Sequence, residues 1–238
     1  MDDLEACVEA CRSHNIQAFF FGGTDSSDWE KQSRIKEQLA TEFTVYTSFG
    51  LHPWYIQEST YKSELERLND DIAKADACGE LGLDFATDQL KEKKQLQTEA
   101  FKRQLDIAHE NRKPLVLHIV KAHQPAINIL RDMTIPCGGI VHGFTGSPEL
   151  MEEYLKLGLK IGIGPNILNS KKLQSAASRL SLTQFCIESD SPQRSTNGQS
   201  NPSAILSVAE CLGTILSRDA STILEQSRKN TEILLGIA

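Results

Sequence analysis

Long apolar runs are absent from this sequence of 238 residues. The best candidate is the short stretch Ile16–Phe21, whereas a membrane-spanning helix needs roughly 18 consecutive apolar residues. The opening residues Met1–Glu5 (MDDLE) also lack the basic and then apolar order of a secretory signal. We therefore expect a protein without a membrane span that resides in the cytoplasm, with the nucleus as the alternative.

Several structural and catalytic signatures are missing as well. The six cysteines form no C-x-x-C pair, which argues against a disulfide framework and a zinc knuckle. No G-x-S-x-G elbow or G-x-x-x-x-G-K-[ST] loop occurs, and Gly162-x-Gly164 lacks the third glycine of a dinucleotide fingerprint. These absences argue against a serine hydrolase, a P-loop nucleoside triphosphatase and a nicotinamide-dependent enzyme.

Positive charge is in deficit, with 25 Lys and Arg against 32 Asp and Glu and a formal net charge of -7. Proteins that hold long duplexes on a broad basic face draw their affinity from neutralised phosphates. The composition therefore argues against that kind of binding. The composition is compatible with local contacts between a metal site and nucleic acid.

What the sequence does contain is a regular alternation of two patterns. Helical spacing of apolar residues, as from Leu96 to Ala108, separates short runs rich in β-branched and aromatic residues. Ser147 and Pro148 predict the start of another helix, and two more are predicted near 203–216 and 220–235. The seven predicted strands are Ile16–Phe21, Thr44–Phe49, Ala77–Leu81, Pro114–His118, Gly139–His142, Leu159–Ile163 and Phe185–Glu188.

Repeated strand–helix units of this kind are typical of a parallel α/β sheet. Seven units that begin with a helix predict a TIM (β/α)8-type barrel whose first strand is missing from this chain, and residues 1–238 are expected to form a single domain. The polar stretch Ser189–Ser203 is expected to be a long functional loop without regular structure.

Polar side chains lie at the ends of the predicted strands, which is where parallel α/β barrels place their active sites. They are Thr24 with Asp25 nearby, His52, Glu80, His118, His142 and Asp190. Imidazole and carboxylate ligands together suit Zn, Mn or Fe, and Mg where carboxylate and water dominate. The pattern favours metal-assisted hydrolysis, in which a carboxylate can bridge two cations.

Simpler interpretations exist for each residue taken alone. Glu80 could pair with a lysine, Asp190 could cap the polar loop, and His52 before Pro53 could be a turn residue. The loop from Gly143 to Ser147 (GFTGS) leads into a capped helix, so its amides could hold a phosphate oxygen. A tight turn is an equally good interpretation of that loop.

Over nearly its whole length the sequence resembles the TatD family of metal-dependent deoxyribonucleases, which are amidohydrolase-like TIM barrels. The segments that carry the resemblance are Gly50–Pro53, Gly79–Asp84, Phe101 with Gln104-Leu105 and Ala108, Pro114–His118, Val141–Gly146, Ile161–Gly164 and Ile187–Pro192. Their order along the chain is that of the family.

The resemblance implies a set of roles. Glu80 would bridge two divalent cations, His118 and His142 would complete one metal position, and Asp190 would belong to the other and orient the attacking water as the base. His52 would lie beside the substrate phosphate. The implied cofactor is Mg²⁺ or Mn²⁺, with Zn²⁺ as an alternative, and the implied activity is 3′–5′ exonuclease action on DNA, on single strands or 3′ ends.

Further substrate contacts are expected from Gly143, Thr145, Lys121 and Arg194. The family pattern is incomplete, because no His-x-His pair occurs and His118 is followed by Ile119 and Val120 where a small residue and an arginine are common. We therefore hypothesise an N-terminally shortened form. This chain by itself would hold one cation on Glu80, His118 and His142, and the second position, left with Glu80 and Asp190, would bind weakly or not at all.

Two alternatives to a deoxyribonuclease stay open. One is a related metal hydrolase that cuts an ester or amide in a small or tRNA-linked substrate, since one barrel fold hosts many reactions. The other is a non-catalytic or weakly active barrel that acts by binding a partner, because metal sites depend on complete ligand sets. The sequence does not indicate an oligomeric state.

Overall fold

The computed structural model describes residues 2–191, 194–195, 198–199 and 201–237. Its helices are α1 Asp2–Ser13, α2 Ser26–Leu39, α3 Tyr61–Asp71, α4 Asp88–Glu92, α5 Lys94–Glu110, α6 His123–Arg131, α7 Pro148–Lys156, α8 Lys171–Ala177, α9 Ala204–Leu216 and α10 Ala220–Leu235. Its strands are β1 Ala18–Phe21, β2 Thr44–Phe49, β3 Ala77–Asp84, β4 Leu115–Val120, β5 Gly139–His142, β6 Leu159–Ile163, β7 Phe185–Ile187, β8 Arg194–Ser195 and β9 Gly198–Gln199.

All seven predicted strands are present, with small differences at their ends. β1 begins two residues late because the Ile16 amide donates to the Cys11 carbonyl oxygen and so belongs to the end of α1. β3 and β4 continue past their predicted ends, since the two strands stay paired as far as Asp84 and Val120. The predicted helices at 148, 203 and 220 are also confirmed to within one residue.

The chain divides into two compact units. Unit 2 consists of Ala18–Val141 and Lys156–Leu159, and unit 1 consists of Met1–Gln17, His142–Leu155 and Lys160–Ala238. The expectation of a single domain stays a prediction. No helix of the described residues has the length and apolarity that crossing a bilayer requires.

Unit 2 is a parallel sheet covered by helices. Its strand order is β1-β2-β3-β4-β5, with β1 parallel to β2, β2 to β3 and β3 to β4. Helix α5 packs on β3, and their shared core contains Leu81, Leu83, Phe101 and Ile107, all fully buried. Because the strands run parallel, their carboxyl ends meet at one edge of the sheet.

Unit 1 contains β6 and β7, which are parallel neighbours, and the helices α9 and α10 that pack on β7. Its core includes Phe144 and Tyr154, whose rings meet edge to face with centroids 6.3 Å apart. The predicted loop Ser189–Ser203 is not wholly irregular. It contains the antiparallel pair β8 and β9, in which Arg194 faces Gln199 and Ser195 faces Gly198.

Candidate metal centre

Three of the predicted site residues meet in unit 2, where His52 follows β2, Glu80 lies inside β3 and His118 lies inside β4. His52, Glu80 and His118 each offer a potential metal-ligating atom, and these atoms lie within 4.8 Å of one another. His52 Nε2 is 3.7 Å and His118 Nδ1 is 4.0 Å from Glu80 Oε2. All three side chains are largely enclosed, with exposed fractions of 5%, 19% and 11% for His52, Glu80 and His118.

An irregularity in β3 positions Glu80. The register with β4 shifts between Gly79 and Leu81, where the structure also has a cis Gly79–Glu80 peptide. The amide of Glu80 donates to the carbonyl oxygen of Gly23 instead of to β4. Bulges of this type turn a side chain away from the regular alternation of a strand, and they are frequent next to active sites.

Gly22 is the residue that faces the Glu80 carboxylate. A Cβ atom at position 22 would lie 2.2 Å from Glu80 Oε1 and 3.0 Å from its Cδ and Cγ, which is closer than nonbonded atoms approach. Glycine is therefore the one residue type that fits without moving the carboxylate. The backbone after β1 thus forms part of the wall around Glu80.

Asp84 determines how His118 presents its ring. His118 Nε2 lies 3.2 Å from Asp84 Oδ2, and the same carboxylate accepts hydrogen bonds from the Trp54 indole N–H and the Ala86 amide, each at 2.7 Å. Burial disfavours the charged carboxylate, but the hydrogen bonds from His118, Trp54 and Ala86 outweigh it and lower the pKa of Asp84.

An ionised Asp84 can only accept hydrogen bonds, so the proton of a neutral His118 ring must reside on Nε2. The lone pair then resides on Nδ1, the atom that lies toward Glu80. A histidine that donates one ring N–H to a carboxylate while its other nitrogen binds an ion is the common arrangement in metal sites.

His52 has the opposite arrangement. Its Nδ1 accepts the backbone N–H of Trp54 at 3.1 Å, so a neutral ring carries its proton on Nε2, the atom that lies 3.7 Å from Glu80 Oε2. The His52 ring also lies close to that of His118, with centroids 4.2 Å apart. Its Nε2 is therefore a hydrogen-bond donor at the centre, whereas His118 Nδ1 is an acceptor or ligand.

Two fully buried glutamines of α5 hold the backbone beside these residues. Gln104 pairs with both backbone groups of Leu51, accepting its N–H at 2.7 Å and donating to its carbonyl at 3.1 Å. Gln97 pairs in the same way with Asp84, at 2.8 and 3.1 Å. A buried amide that satisfies both backbone groups fixes a strand end without a regular ladder.

The donor set fits a small divalent cation. Ligands that share one ion at about 2.1 Å lie roughly 3 to 4 Å from each other, and Glu80 Oε2 and His118 Nδ1 are 4.0 Å apart. A carboxylate oxygen with an imidazole nitrogen suits Mg²⁺, Mn²⁺ and Zn²⁺ alike. The residues present therefore fit the predicted cofactor without selecting a single metal.

The other predicted metal ligands, His142 and Asp190, belong to unit 1. His142 ends β5, and Asp190 follows β7 with a φ of +50°. Between these two strand ends, the Gly143 amide donates to Glu188 Oε1 at 2.5 Å. The role of His142 and Asp190 as ligands and of Asp190 as a base stays a prediction.

The first two amides of the loop after β5 both donate hydrogen bonds within unit 1. Its Gly143 amide is bonded to Glu188 and its Phe144 amide donates to the Gly162 carbonyl oxygen at 3.2 Å. Thr145 is exposed, as is Lys121, which follows β4 with a φ of +51°. Phosphate binding by Gly143, Thr145 and Lys121 stays a prediction, as does that of Arg194, whose side chain lies outside the described part of the structure.

Asp84, Trp54 and Gln97 were not predicted as site residues. The sequence could have indicated Asp84, because it lies four residues after Glu80 in the same strand segment and alternate residues of a strand share a face. Trp54 directly follows His52-Pro53. Neither position indicates by itself that the indole and the imidazole share one carboxylate.

Comparison with protein families decides the relationship of this chain to known proteins. The family model described as TatD related DNase matches residues 1–236. The chain belongs to the TatD family. TatD relatives include a protein of Haemophilus influenzae described as an uncharacterized metal-dependent hydrolase, 32% identical with 96% of this chain and 91% of that protein covered.

Another TatD relative is the human deoxyribonuclease TATDN3, which is 25% identical, with 96% of this chain and 87% of the human protein covered. Among solved structures, the TatD homologue YjjV of Escherichia coli matches with a TM-score of 0.86 at 24% identity, over 100% of this chain and 93% of that one. The predicted TIM-barrel-like α/β fold is thereby confirmed. The chain is a member of the TatD family of metal-dependent hydrolases.

Proposed function

We propose that this chain is a divalent-metal-dependent deoxyribonuclease that removes nucleotides from the 3′ end of single-stranded DNA, with Mg²⁺ or Mn²⁺ as cofactor. The observation that carries the proposal is the placement of Glu80 between two imidazoles of opposite hydrogen-bonding character. One of them can bind an ion and the other can donate to a phosphate. Membership of the TatD family and the name of the human relative support DNA as the substrate.

Glu80 and His118 would hold the cation, and His142 and Asp190 are the further ligands that the resemblance implies. A bound divalent cation polarises a phosphoryl oxygen and lowers the pKa of water. Asp84 keeps the His118 proton on Nε2 and thereby keeps Nδ1 available as a ligand. Asp190 is the proposed base that accepts the proton of the attacking water.

His52 is proposed to bind the substrate phosphate. Its Nε2–H lies at the carboxylate of Glu80 and can donate to a nonbridging oxygen of a phosphodiester beside the cation. The bond from the Trp54 amide to Nδ1 supports this role, because it opposes the tautomer that would ligate a metal through Nε2. Gly143, Thr145, Lys121 and Arg194 remain proposed substrate contacts.

The test is degradation of a 5′-labelled single-stranded DNA in Mg²⁺ and then in Mn²⁺. Stepwise 3′ shortening by the parent is expected, with loss of that activity in Glu80→Gln and in an identically purified His142→Ala variant. Glu225→Gln is the matched control, since Glu225 is exposed on α10 and pairs with Lys229. Equal activity in all four proteins would refute the proposal and indicate a contaminating nuclease.

A further inference from the structure

Two aromatic side chains beside the metal centre are exposed to solvent. Trp54 is 58% exposed and Tyr55 is 47% exposed. The second tryptophan of the chain behaves differently, because Trp29 is 2% exposed and stacks on Phe49 in the core. More than half of the Trp54 side chain faces solvent, so packing in the core does not account for this ring.

Trp54 is held in one orientation despite its exposure. It lies in a 3-10 helix, Pro53–Tyr55, its backbone N–H donates to His52 Nδ1, and its indole N–H donates to Asp84 Oδ2, a carboxylate whose side chain is 2% exposed. One edge of the ring is therefore anchored while much of its surface faces solvent. A ring that is already fixed loses little conformational entropy when a ligand stacks on it.

The two rings adjoin the histidines of the centre. The Trp54 ring centroid is 5.0 Å from that of His52 and 6.0 Å from that of His118, and Tyr55 is 6.1 Å from His52. A group stacked on Trp54 or Tyr55 would thus lie within one nucleotide of a phosphate bound at Glu80 and His118. The aromatic surface is continuous with the centre and not an isolated apolar patch.

Charge favours an aromatic mode of binding over an electrostatic one. The chain has a formal net charge of -7, and the centre itself contributes the carboxylates of Glu80 and Asp84. Proteins that bind single-stranded nucleic acid combine backbone attraction with stacking of successive bases on aromatic side chains, and stacking accepts every base. With little positive charge available, stacking would supply the larger share of the affinity.

We propose that Trp54 and Tyr55 form a base-stacking subsite that binds the unpaired terminal nucleotides of a DNA strand beside the metal centre, an inference that rests on the proposed function. A paired end keeps its terminal bases stacked within the duplex. The subsite therefore selects single strands and frayed ends. Binding to the two rings requires a base, whereas binding to the metal centre requires only a sugar phosphate.

The test compares two probes. One is a 5′-fluorescein-labelled thymidine hexamer with phosphorothioate linkages at its 3′ end, and the other carries abasic tetrahydrofuran residues at its last three positions. Binding is followed by fluorescence anisotropy in Mg²⁺. The parent is expected to prefer the base-bearing probe by roughly 10- to 100-fold, and Trp54→Leu and Tyr55→Leu are each expected to bring that ratio toward one.

Trp54→Phe separates stacking from a positioning role. Phenylalanine keeps an aromatic face and loses the indole N–H on Asp84, so it should retain most of the preference if Trp54 acts by stacking. Tyr55 has no hydrogen bond to Asp84 among the contacts of the described structure, which makes Tyr55→Leu a second probe of the ring alone. Tyr61→Leu on α3 is the matched control, and circular dichroism verifies that each variant folds.

Each outcome decides the question. A parent that binds both probes equally, or leucine variants that weaken both probes by the same factor, would overturn the subsite. Base-dependent binding without 3′ shortening of an ordinary oligonucleotide would support the subsite and refute the proposed nuclease. Shortening that ignores the presence of a base would support the nuclease and refute the subsite, and absence of binding to either probe would refute the subsite together with its DNA ligand.

Discussion

Glu80 lies inside the parallel strand β3 and Glu188 directly follows the parallel strand β7, yet the surroundings of the two carboxylates differ. Glu188 Oε1 accepts the Gly143 amide at 2.5 Å, a direct hydrogen bond that ties one strand-end loop to the next in unit 1. Glu80 Oε2 faces His52 Nε2 at 3.7 Å and His118 Nδ1 at 4.0 Å, distances that exceed a direct hydrogen bond. The distance to His118 Nδ1 suits two atoms that share an ion. The same side chain is therefore a structural acceptor in one unit and a candidate ligand in the other.

The two carboxylates also differ in how closely a glycine backbone approaches them, Gly22 at Glu80 and Gly164 at Glu188. A Cβ at Gly164 would lie 3.4 Å from Glu188 Cγ and Oε1, an ordinary contact, whereas one at Gly22 would lie 2.2 Å from Glu80 Oε1. The backbone at Gly22 approaches the Glu80 carboxylate so closely that no Cβ atom fits between them. A tightly enclosed carboxylate is the arrangement that a preorganised ligand requires.

The largest expected effect is the difference in Mn²⁺ affinity between Glu80→Gln and Glu188→Gln. Glu80→Gln is expected to weaken Mn²⁺ binding by more than about 100-fold, since even outer-shell partners of metal ligands contribute 10- to 100-fold. Glu188→Gln keeps an oxygen acceptor for Gly143 and should lower the free energy of unfolding by about 1 kcal/mol, the difference between a charged and a neutral acceptor.

Isothermal titration with Mn²⁺ and urea denaturation measure the two effects. If Glu188→Gln weakens Mn²⁺ binding as much as Glu80→Gln does, the two carboxylates do not have the different roles described above.

Asp84→Asn should have the next largest effect. Asparagine can present an N–H where the aspartate accepts, so it no longer fixes the proton of His118 on Nε2. We expect Mn²⁺ affinity to fall by about 10- to 100-fold, as for other outer-shell partners. Asp88→Asn is the control, because Asp88 is exposed and pairs with Lys91. Unchanged affinity in Asp84→Asn would mean that His118 is oriented by other contacts.

Gly22→Ala tests the enclosure of Glu80 directly. The added methyl group must push the carboxylate aside, at little cost to stability because Gly22 is exposed. Mn²⁺ affinity should fall by about tenfold, of the order expected for a displaced ligand. Gly164→Ala, which places its methyl group at contact distance from Glu188, should bind Mn²⁺ like the parent. Equal affinity in the two variants would contradict the difference between the two carboxylates.

The smallest expected effect lies at the start of α10 in unit 1. Asp219 caps α10, where bonds from the Thr222 amide and the Ser221 hydroxyl lower its pKa to about 2. Because the folded pKa is below the unfolded value of about 3.9, the stabilisation is complete above pH 4 and is lost as the pH falls toward 2.

The melting temperature of Asp219→Ala should therefore lie below that of the parent at pH 7, and the gap should narrow at pH 3. A gap that stays constant between these pH values would show that the charge of Asp219 does not contribute.

Much of this arrangement could be predicted from residue order. The period-2 and helical patterns locate the seven predicted strands, and polar residues near the carboxyl ends of parallel strands gather at one edge of a sheet. His52, Glu80 and His118 were among the polar residues expected there, and these three meet in the structure. The polar loop was misjudged because its composition does not reveal the short pair β8 and β9, whose pairing depends on residues across the turn.

The sequence by itself determined the alternation of strands and helices and the chemistry available at each strand end, because both depend on the type and spacing of nearby residues. Only the tertiary structure decided which nitrogen of each histidine points at Glu80. Asp84 reaches His118 across 34 positions of the chain and Glu188 reaches Gly143 across 45. A tautomer depends on the partner of the other ring nitrogen, and that partner is brought close only by packing of the sheet.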